Sequence, residues 1–410
     1  LDLETQEKEV NQKTDLFDKC FQFKAADEVK AAGVYPYFHP VSSAPGDEVI
    51  VDGHRIIMVG SNNYLGLTND PRVKEAAAKA VHKYGSGCTG SRFLNGTLDL
   101  HIELEERLAN FMKRDAAIVF STGFQTNLGT ISCLVGKNDT LVIDRADHAS
   151  IVDGCRLSFG RVLKYGHNDM NDLERVLRNV SENGGRGGVF VVADGVFSME
   201  GDIVKLPELV ALARKYGARV MIDDAHSIGV LGEGGRGTAE HFNMIDGVDI
   251  TMGTFSKSFA SLGGFIASDA KVINYVKHFS REFIFSASIP PSATAAALAA
   301  LDIIETEPER RTNLWKNARR MQSEFKRLGF DTRHSETPIV PVLIGEDMDT
   351  FRFWKALFDN GVFANPTISP AVAPGMALIR TSYTATHTDA HLDRVLEVFE
   401  KVGKQMRVIS

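Results

Sequence analysis

A single lysine among small hydroxyl residues, Met252-Gly253-Thr254-Phe255-Ser256-Lys257-Ser258-Phe259, is the stretch best suited to covalent chemistry. It follows Val248-Asp249-Ile250-Thr251-Met252, which reads as a buried strand, and precedes Ala260-Ser261-Leu262-Gly263-Gly264-Phe265. An amine at a strand end is placed to form a Schiff base with a carbonyl. The small neighbours let another molecule approach closely, and hydroxyl and backbone N–H groups suit a phosphate. Aldehyde and phosphate together point to pyridoxal 5'-phosphate (PLP). Taken alone, the stretch reads equally well as an exposed lysine beside a turn.

PLP chemistry asks for further groups. A carboxylate against the pyridine nitrogen keeps it protonated, so that the ring can accept an electron pair. Asp223, at a strand end 34 residues before Lys257, fits, and Asp224 competes with it. A donor to the phenolic oxygen and a flat group over the ring are sought among His226 and His148, which both follow strand ends. Arg380, after Ala377-Leu378-Ile379, could clamp a substrate carboxylate in bidentate fashion or form a surface ion pair.

These residues need elements that converge. Strands are expected over 116–120, 140–144, 188–193, 219–223 and 248–252, alternating with helices such as 98–113 and 206–216. Each polar group of interest lies just past a strand, where open, mostly parallel α/β sheets bind ligands. Ser121-Thr122-Gly123-Phe124 opens a helix after one such strand and offers either a phosphate site or a plain cap. The loop Gly85-Ser86-Gly87-Cys88-Thr89-Gly90-Ser91-Arg92 is too loose for a Walker motif; it reads as a ligand loop or as a connector needing glycine. Residues 1–33 read as a helical arm, packed on its own protein, with Leu16, Phe17, Cys20, Phe21 and Phe23 on one face. A hairpin is expected over 48–59 with its turn at Asp52-Gly53. After Pro290-Pro291 the pattern becomes α+β, with helices over 292–305, 308–328, 350–360 and 388–406 and strands over 339–344 and 377–380. The expected division is 1–60 for arm and hairpin, 61–289 for a PLP-binding α/β domain and 290–410 for a smaller C-terminal domain.

Bulk properties narrow the field. The chain has 410 residues, 43% hydrophobic and 24% charged, which allows a large core and more than one domain. A net charge of -7 argues against nucleic acid as a partner. Cys20, Cys88, Cys133 and Cys155 are scattered, so no metal site or disulfide framework is expected and a reducing cytoplasm is the natural setting. The acidic start does not resemble a signal peptide, and no apolar run is long enough to span a bilayer. Peripheral contact with the inner face of a membrane stays open.

From about Phe38 onward the chain resembles the α-oxoamine synthases, fold-type I PLP enzymes that join an amino acid to an acyl-CoA with loss of carbon dioxide. The likeness rests on a set of motifs: Ser61-Asn62-Asn63-Tyr64-Leu65-Gly66, Gly90-Ser91-Arg92-Phe93-Leu94-Asn95-Gly96-Thr97, Ser121-Thr122-Gly123-Phe124, Asp147-His148-Ala149-Ser150, Phe197-Ser198-Met199-Glu200-Gly201-Asp202, Asp223-Asp224-Ala225-His226-Ser227 and Gly253-Thr254-Phe255-Ser256-Lys257-Ser258. The resemblance implies a mostly parallel central sheet with a smaller C-terminal α+β domain. It implies that Lys257 holds the cofactor and moves the Cα proton, Asp223 pairs with the pyridine nitrogen, His226 bonds the phenolic oxygen and His148 stacks on the ring and helps hold the substrate carboxylate. Gly123, Phe124, Thr254, Ser256 and Ser198 fall on the cofactor side by the same likeness. Arg380, Tyr64 and Asn63 fall on the substrate side. It further implies a homodimer with shared sites, in which Tyr64 and Ser288 reach the partner's cofactor. Within the family, Gly253 to Ser258 and Leu262-Gly263-Gly264-Phe265 sit closest to the bacterial branch that condenses L-serine with a long-chain acyl-CoA to 3-ketosphinganine. The alternative is a sister activity with glycine, alanine or another small amino acid and a shorter acyl-CoA. A non-catalytic scaffold subunit and a PLP aminotransferase are the more distant rivals. Two departures stand out: Thr367-Ile368-Ser369-Pro370-Ala371-Val372-Ala373-Pro374 lacks the arginine frequent there in serine-specific members, and Thr89 stands where the family has asparagine.

Overall fold

The computed structural model describes residues 15–183 and 187–410. Apolar runs build a seven-stranded sheet in the order Ala116–Phe120, Gly264–Ser268, Ile250–Thr254, Arg219–Asp223, Val189–Asp194, Thr140–Asp144, Arg161–Tyr165. Gly264–Ser268 is antiparallel to both of its neighbours, and the other pairings are parallel. Successive side chains point to opposite faces, and helices cover both. On one face, Met170–Asn183 and Leu206–Lys215 pack Leu173, Leu177, Leu209 and Val210 against Val191, Ala193, Val220 and Ile222. On the other, Gly123–Leu134, Ala149–Leu157 and Ala270–Phe279 pack Ile131, Ile151 and Ile273 against Val192, Met221 and Ile250. Central strands buried on both faces explain the near-continuous apolar runs.

Arg161–Tyr165 and Gly264–Ser268 are strands that the sequence reading does not contain. The first is an edge strand whose Arg161 and Lys164 face solvent, so it carries no apolar run. The second begins at a glycine that reads as the end of the lysine loop.

A three-stranded antiparallel sheet, Ile339–Gly345, Ala377–Ser382 and Asn365–Thr367, forms the C-terminal part with Pro308–Leu328, Asp347–Asp359 and Asp389–Gln405. The hairpin Glu48–Val51/His54–Met58 turns through Asp52 and Gly53, both at positive φ as a two-residue turn requires. Its second strand pairs in parallel with Val362–Phe363, and Ile57 and Val59 sink into the C-terminal core.

The arm differs from expectation. Residues 1–14 of the expected helix lie outside the described residues. Beyond them the chain forms two short helices, Asp18–Phe21 and Ala25–Ala31. Leu16, Phe17, Phe21 and Phe23 are exposed, Phe21 by 81%, so this face is not packed on its own chain. Among the described residues no helix is long and apolar enough to cross a membrane.

Candidate active site

The C-terminal ends of the parallel strands open onto a cavity of about 290 Å³ lined by Lys257, Asp223, His226 and His148. Gly123, Phe124, Ser198, Thr254 and Ser256 lie on the same wall. Lys257 is carried by the return between Ile250–Thr254 and Gly264–Ser268, which the Phe255 N–H to Gly263 O (2.9 Å) and Ser261 N–H to Phe255 O (2.8 Å) bonds tie across. Asp223 ends its strand and accepts from the Ala225 N–H (2.9 Å) and the Asn127 amide (2.6 Å). Asp224 points away into the protein and accepts from Thr238. Of the two acids, Asp223 is the one facing Lys257's cavity.

The helix Gly123–Leu134 starts at the cavity wall, its first turn capped by the Thr122 hydroxyl, which accepts from the Gln125 N–H. The Gly123 and Phe124 N–H groups belong to that first turn and have no partner within the helix. A Cβ on Gly123 would fall 2.6 Å from Thr254 Oγ1, so only glycine lets the helix start close to the lysine strand. These groups fit PLP: an amine for the aldehyde, a carboxylate for the pyridine nitrogen, and free N–H groups beside the Thr254 and Ser256 hydroxyls for the phosphate.

Burial dominates the electrostatics. It pushes Lys257 down to about 8, while Asp223 and Asp194 pull the other way. Burial, then the charges of Lys257 and Arg380, hold His226 well below the usual imidazole range. His148 is lowered chiefly by burial. The Tyr64 phenol is raised to about 12 by burial. Asp194 on the cavity wall is raised well above the usual carboxylate range by burial and then by the charges of Asp223 and Asp147, and the enclosed Asp147 by burial and then by the charge of Asp144.

The residues expected on the substrate side are placed differently. Arg380 is buried, and its guanidinium donates to Ser198 O (2.5 Å), Ser382 Oγ (3.0 Å) and Asn62 Oδ1 (3.0 Å). It stands behind the cavity wall, yet close enough that its charge lowers both Lys257 and His226. Tyr64 does not extend toward a partner: it is buried in its own chain, its hydroxyl 2.7 Å from His226 Nδ1. Asn63 turns away to bond Thr68 (2.8 Å), and its neighbour Asn62 is the residue that meets Arg380. Ser288 donates to Gly90 O. Arg92 of the glycine-rich loop faces inward as a bidentate partner of Glu105 (2.7 and 3.0 Å), so here it serves the fold. Asn62, Asn127, Ser150 and Asp194 are site residues without a role in the sequence reading. Asn62 and Ser150 lie within motifs, whereas Asn127 and Asp194 carry no local signal beyond following or ending a strand.

The family model for aminotransferase class I and II matches residues 54–399. Among curated proteins the chain is 52% identical to a serine palmitoyltransferase of Sphingobacterium spiritivorum, over 96% of this chain and 98% of that protein. It is 45% identical to an 8-amino-7-oxononanoate synthase of Thermoanaerobacter pseudethanolicus, over 96% of this chain and 99% of that protein. A high-resolution serine palmitoyltransferase structure with PLP superimposes with a TM-score of 0.92 at 37% identity, covering 97% of this chain and 100% of that one.

Proposed function

Because the chain belongs to the aminotransferase class I and II family, we propose that it is a PLP-dependent acyltransferase. It condenses L-serine with a long-chain acyl-CoA such as palmitoyl-CoA, releasing carbon dioxide and CoA and giving 3-ketosphinganine, the first step of sphingolipid synthesis. The observation that carries this reading is the single cavity shared by Lys257, Asp223, His226 and His148. Its likeness to serine palmitoyltransferases selects serine.

When bound, PLP supplies a ring that accepts the electron pair left on the amino-acid Cα once its proton departs. Lys257 would hold the aldehyde, Asp223 the pyridine nitrogen and His226 the phenolic oxygen. His148 would cover the ring, with Gly123, Phe124, Thr254 and Ser256 on the phosphate and Ser198 beside it. A lysine at about 8 is partly neutral near neutral pH, so Lys257 can take a Cα proton and return it. The Tyr64 hydroxyl, kept protonated by burial, lies 2.7 Å from His226 Nδ1, and a donor there would leave the ring proton on Nε2 for the phenolic oxygen. Arg380, held behind the cavity wall by Ser198, Ser382 and Asn62, would contribute its positive charge to the site that takes the serine carboxylate. Val196, Met252 and Leu262 on the cavity wall exclude water from the reacting carbon.

The active form is a homodimer. Leu94, Phe285 and Phe279 are exposed, Leu94 by 76% and Phe285 by 75%. Phe285 flanks the Ser286 and Ala287 groups that bond Gln125 and Ser121 at the cavity helix. A second copy covers these apolar side chains.

The 45% likeness to an 8-amino-7-oxononanoate synthase favours the second reading, a small amino acid with a shorter acyl-CoA. Mass spectrometry of products from PLP-loaded protein separates the two. Serine with palmitoyl-CoA is expected to give 3-ketosphinganine and one carbon dioxide per turnover. Faster turnover of alanine with a short acyl-CoA would overturn the serine assignment.

A further inference from the structure

We propose that Asn127 and Ser150 are positioning residues that fix the ring proton of His148 on Nε2. They do so by linking His148 to Asp223 through hydrogen bonds that run outward from the Asn127 amide, to Asp223 on one side and through Ser150 to His148 on the other.

The chain is read atom by atom. Asn127 Nδ2 donates to Asp223 Oδ2 at 2.6 Å and to Ser150 Oγ at 2.8 Å. The amide cannot be turned round, since its carbonyl oxygen would then face a carboxylate oxygen at that distance. In keeping with this, Asn127 Oδ1 has no hydrogen-bond partner among the described residues. Ser150 Oγ, having accepted from Asn127, lies 2.7 Å from His148 Nδ1. No other acceptor for its proton is within reach among the described residues. The Ser150 backbone N–H points at the same nitrogen from 3.3 Å. A nitrogen approached by two donors is an acceptor, so the neutral ring carries its proton on Nε2.

The two linking residues have no room to rearrange. Asn127 and Ser150 are fully buried, on the packed helices Gly123–Leu134 and Ala149–Leu157. The His148 backbone N–H is held by Asp194 Oδ2 at 3.2 Å. With Nδ1 turned to Ser150, Nε2 is the nitrogen left for the cavity that His148 lines. There it offers an N–H to a carboxylate oxygen, whereas the other tautomer would offer a lone pair and repel it. Burial, which lowers the imidazole, keeps the ring neutral so that the tautomer matters. This use of the N–H rests on the reading of His148 as a group facing bound serine.

The test is the tautomer itself, read without substrate by two-bond 1H–15N correlation on the PLP-loaded protein labelled with 15N-histidine. The His148 signal is identified by its loss in His148→Gln. The wild-type ring is expected as Nε2–H. Ser150→Ala and Asn127→Leu are expected to populate Nδ1–H, and Ser150→Thr, which keeps the hydroxyl, to restore the wild-type form. Thermal melts identify which variants are folded. The serine KM of Ser150→Ala should rise on the order of tenfold, as for loss of one hydrogen bond to a charged group. A wild-type Nδ1–H ring, or a tautomer unmoved in folded Ser150→Ala, would overturn the relay. A tautomer that moves while the serine KM does not upholds the relay and removes the role of His148 toward the serine carboxylate.

Discussion

Two adjacent acids show how much one residue's direction decides. Asp223 looks into the cavity, while Asp224 is pushed up to about 7 by burial and is tied to Thr238. Asp223→Asn is therefore expected to fold normally and lose roughly 10²–10³-fold in kcat, as when a preorganised charge is removed from a reacting site. Asp224→Asn should instead lower the Tm, through a misplaced buried amide worth about 1–3 kcal/mol. Steady-state kinetics and melts on the two variants distinguish these outcomes. The Lys257 amine supplies a pH prediction. With its pKa at about 8, the rate of PLP loading onto the apo-protein should rise with pH, reach half its maximum near pH 8 and level off above that. Stopped-flow absorbance of lysine-bound PLP reads this directly, and Lys257→Ala should show no such signal. The residues legible in the sequence, Lys257, Asp223, His226 and His148, all sit within a few positions of a strand end, so local pattern located them. Asn127 was not legible because its partners, Ser150 and Asp223, come from elsewhere in the chain. That Asn62 and not Asn63 meets Arg380 was not legible for a related reason: an irregular loop has no period to say which neighbour turns inward.

At the level of elements, the site depends on a helix start and two strands meeting without side chains between them. A Cβ on Gly264 would fall 2.7 Å from Gly123 Cα and 2.5 Å from Thr126 Oγ1. Gly264→Ala should push the helix Gly123–Leu134 off the sheet, at about 1–3 kcal/mol. The free N–H groups move with it, so PLP affinity should fall on the order of tenfold; fluorescence titration and a melt measure both. The strands Arg219–Asp223 and Thr140–Asp144 were legible because both of their faces are covered and their apolar runs are unbroken. Gly264–Ser268 was not: its pairing with Ile250–Thr254 and Ala116–Phe120 is a long-range fact, and its five residues start on a glycine. Arg92 carries the same lesson in reverse. Its glycine-rich loop read either as a ligand loop or as a connector, and Glu105, on a helix thirteen residues later, draws the side chain inward.

For the whole molecule, the exposed rings near the cavity helix make assembly the next measurable property. Light scattering on the wild type should give about twice the chain mass of 44.9 kDa. Phe285→Glu combined with Leu94→Glu should shift it toward the single-chain mass and lower activity, since a charge in an apolar contact costs more than the contact gains. The lysine loop has a mechanical consequence on the same scale. Both of its ends are fastened to adjoining, oppositely directed strands, so the attachment point behaves as a fixed post rather than a hinge. Whatever swings during turnover is the small molecule on that post and the lysine's own methylene stem. Superimposed loaded and empty forms should therefore coincide along this backbone.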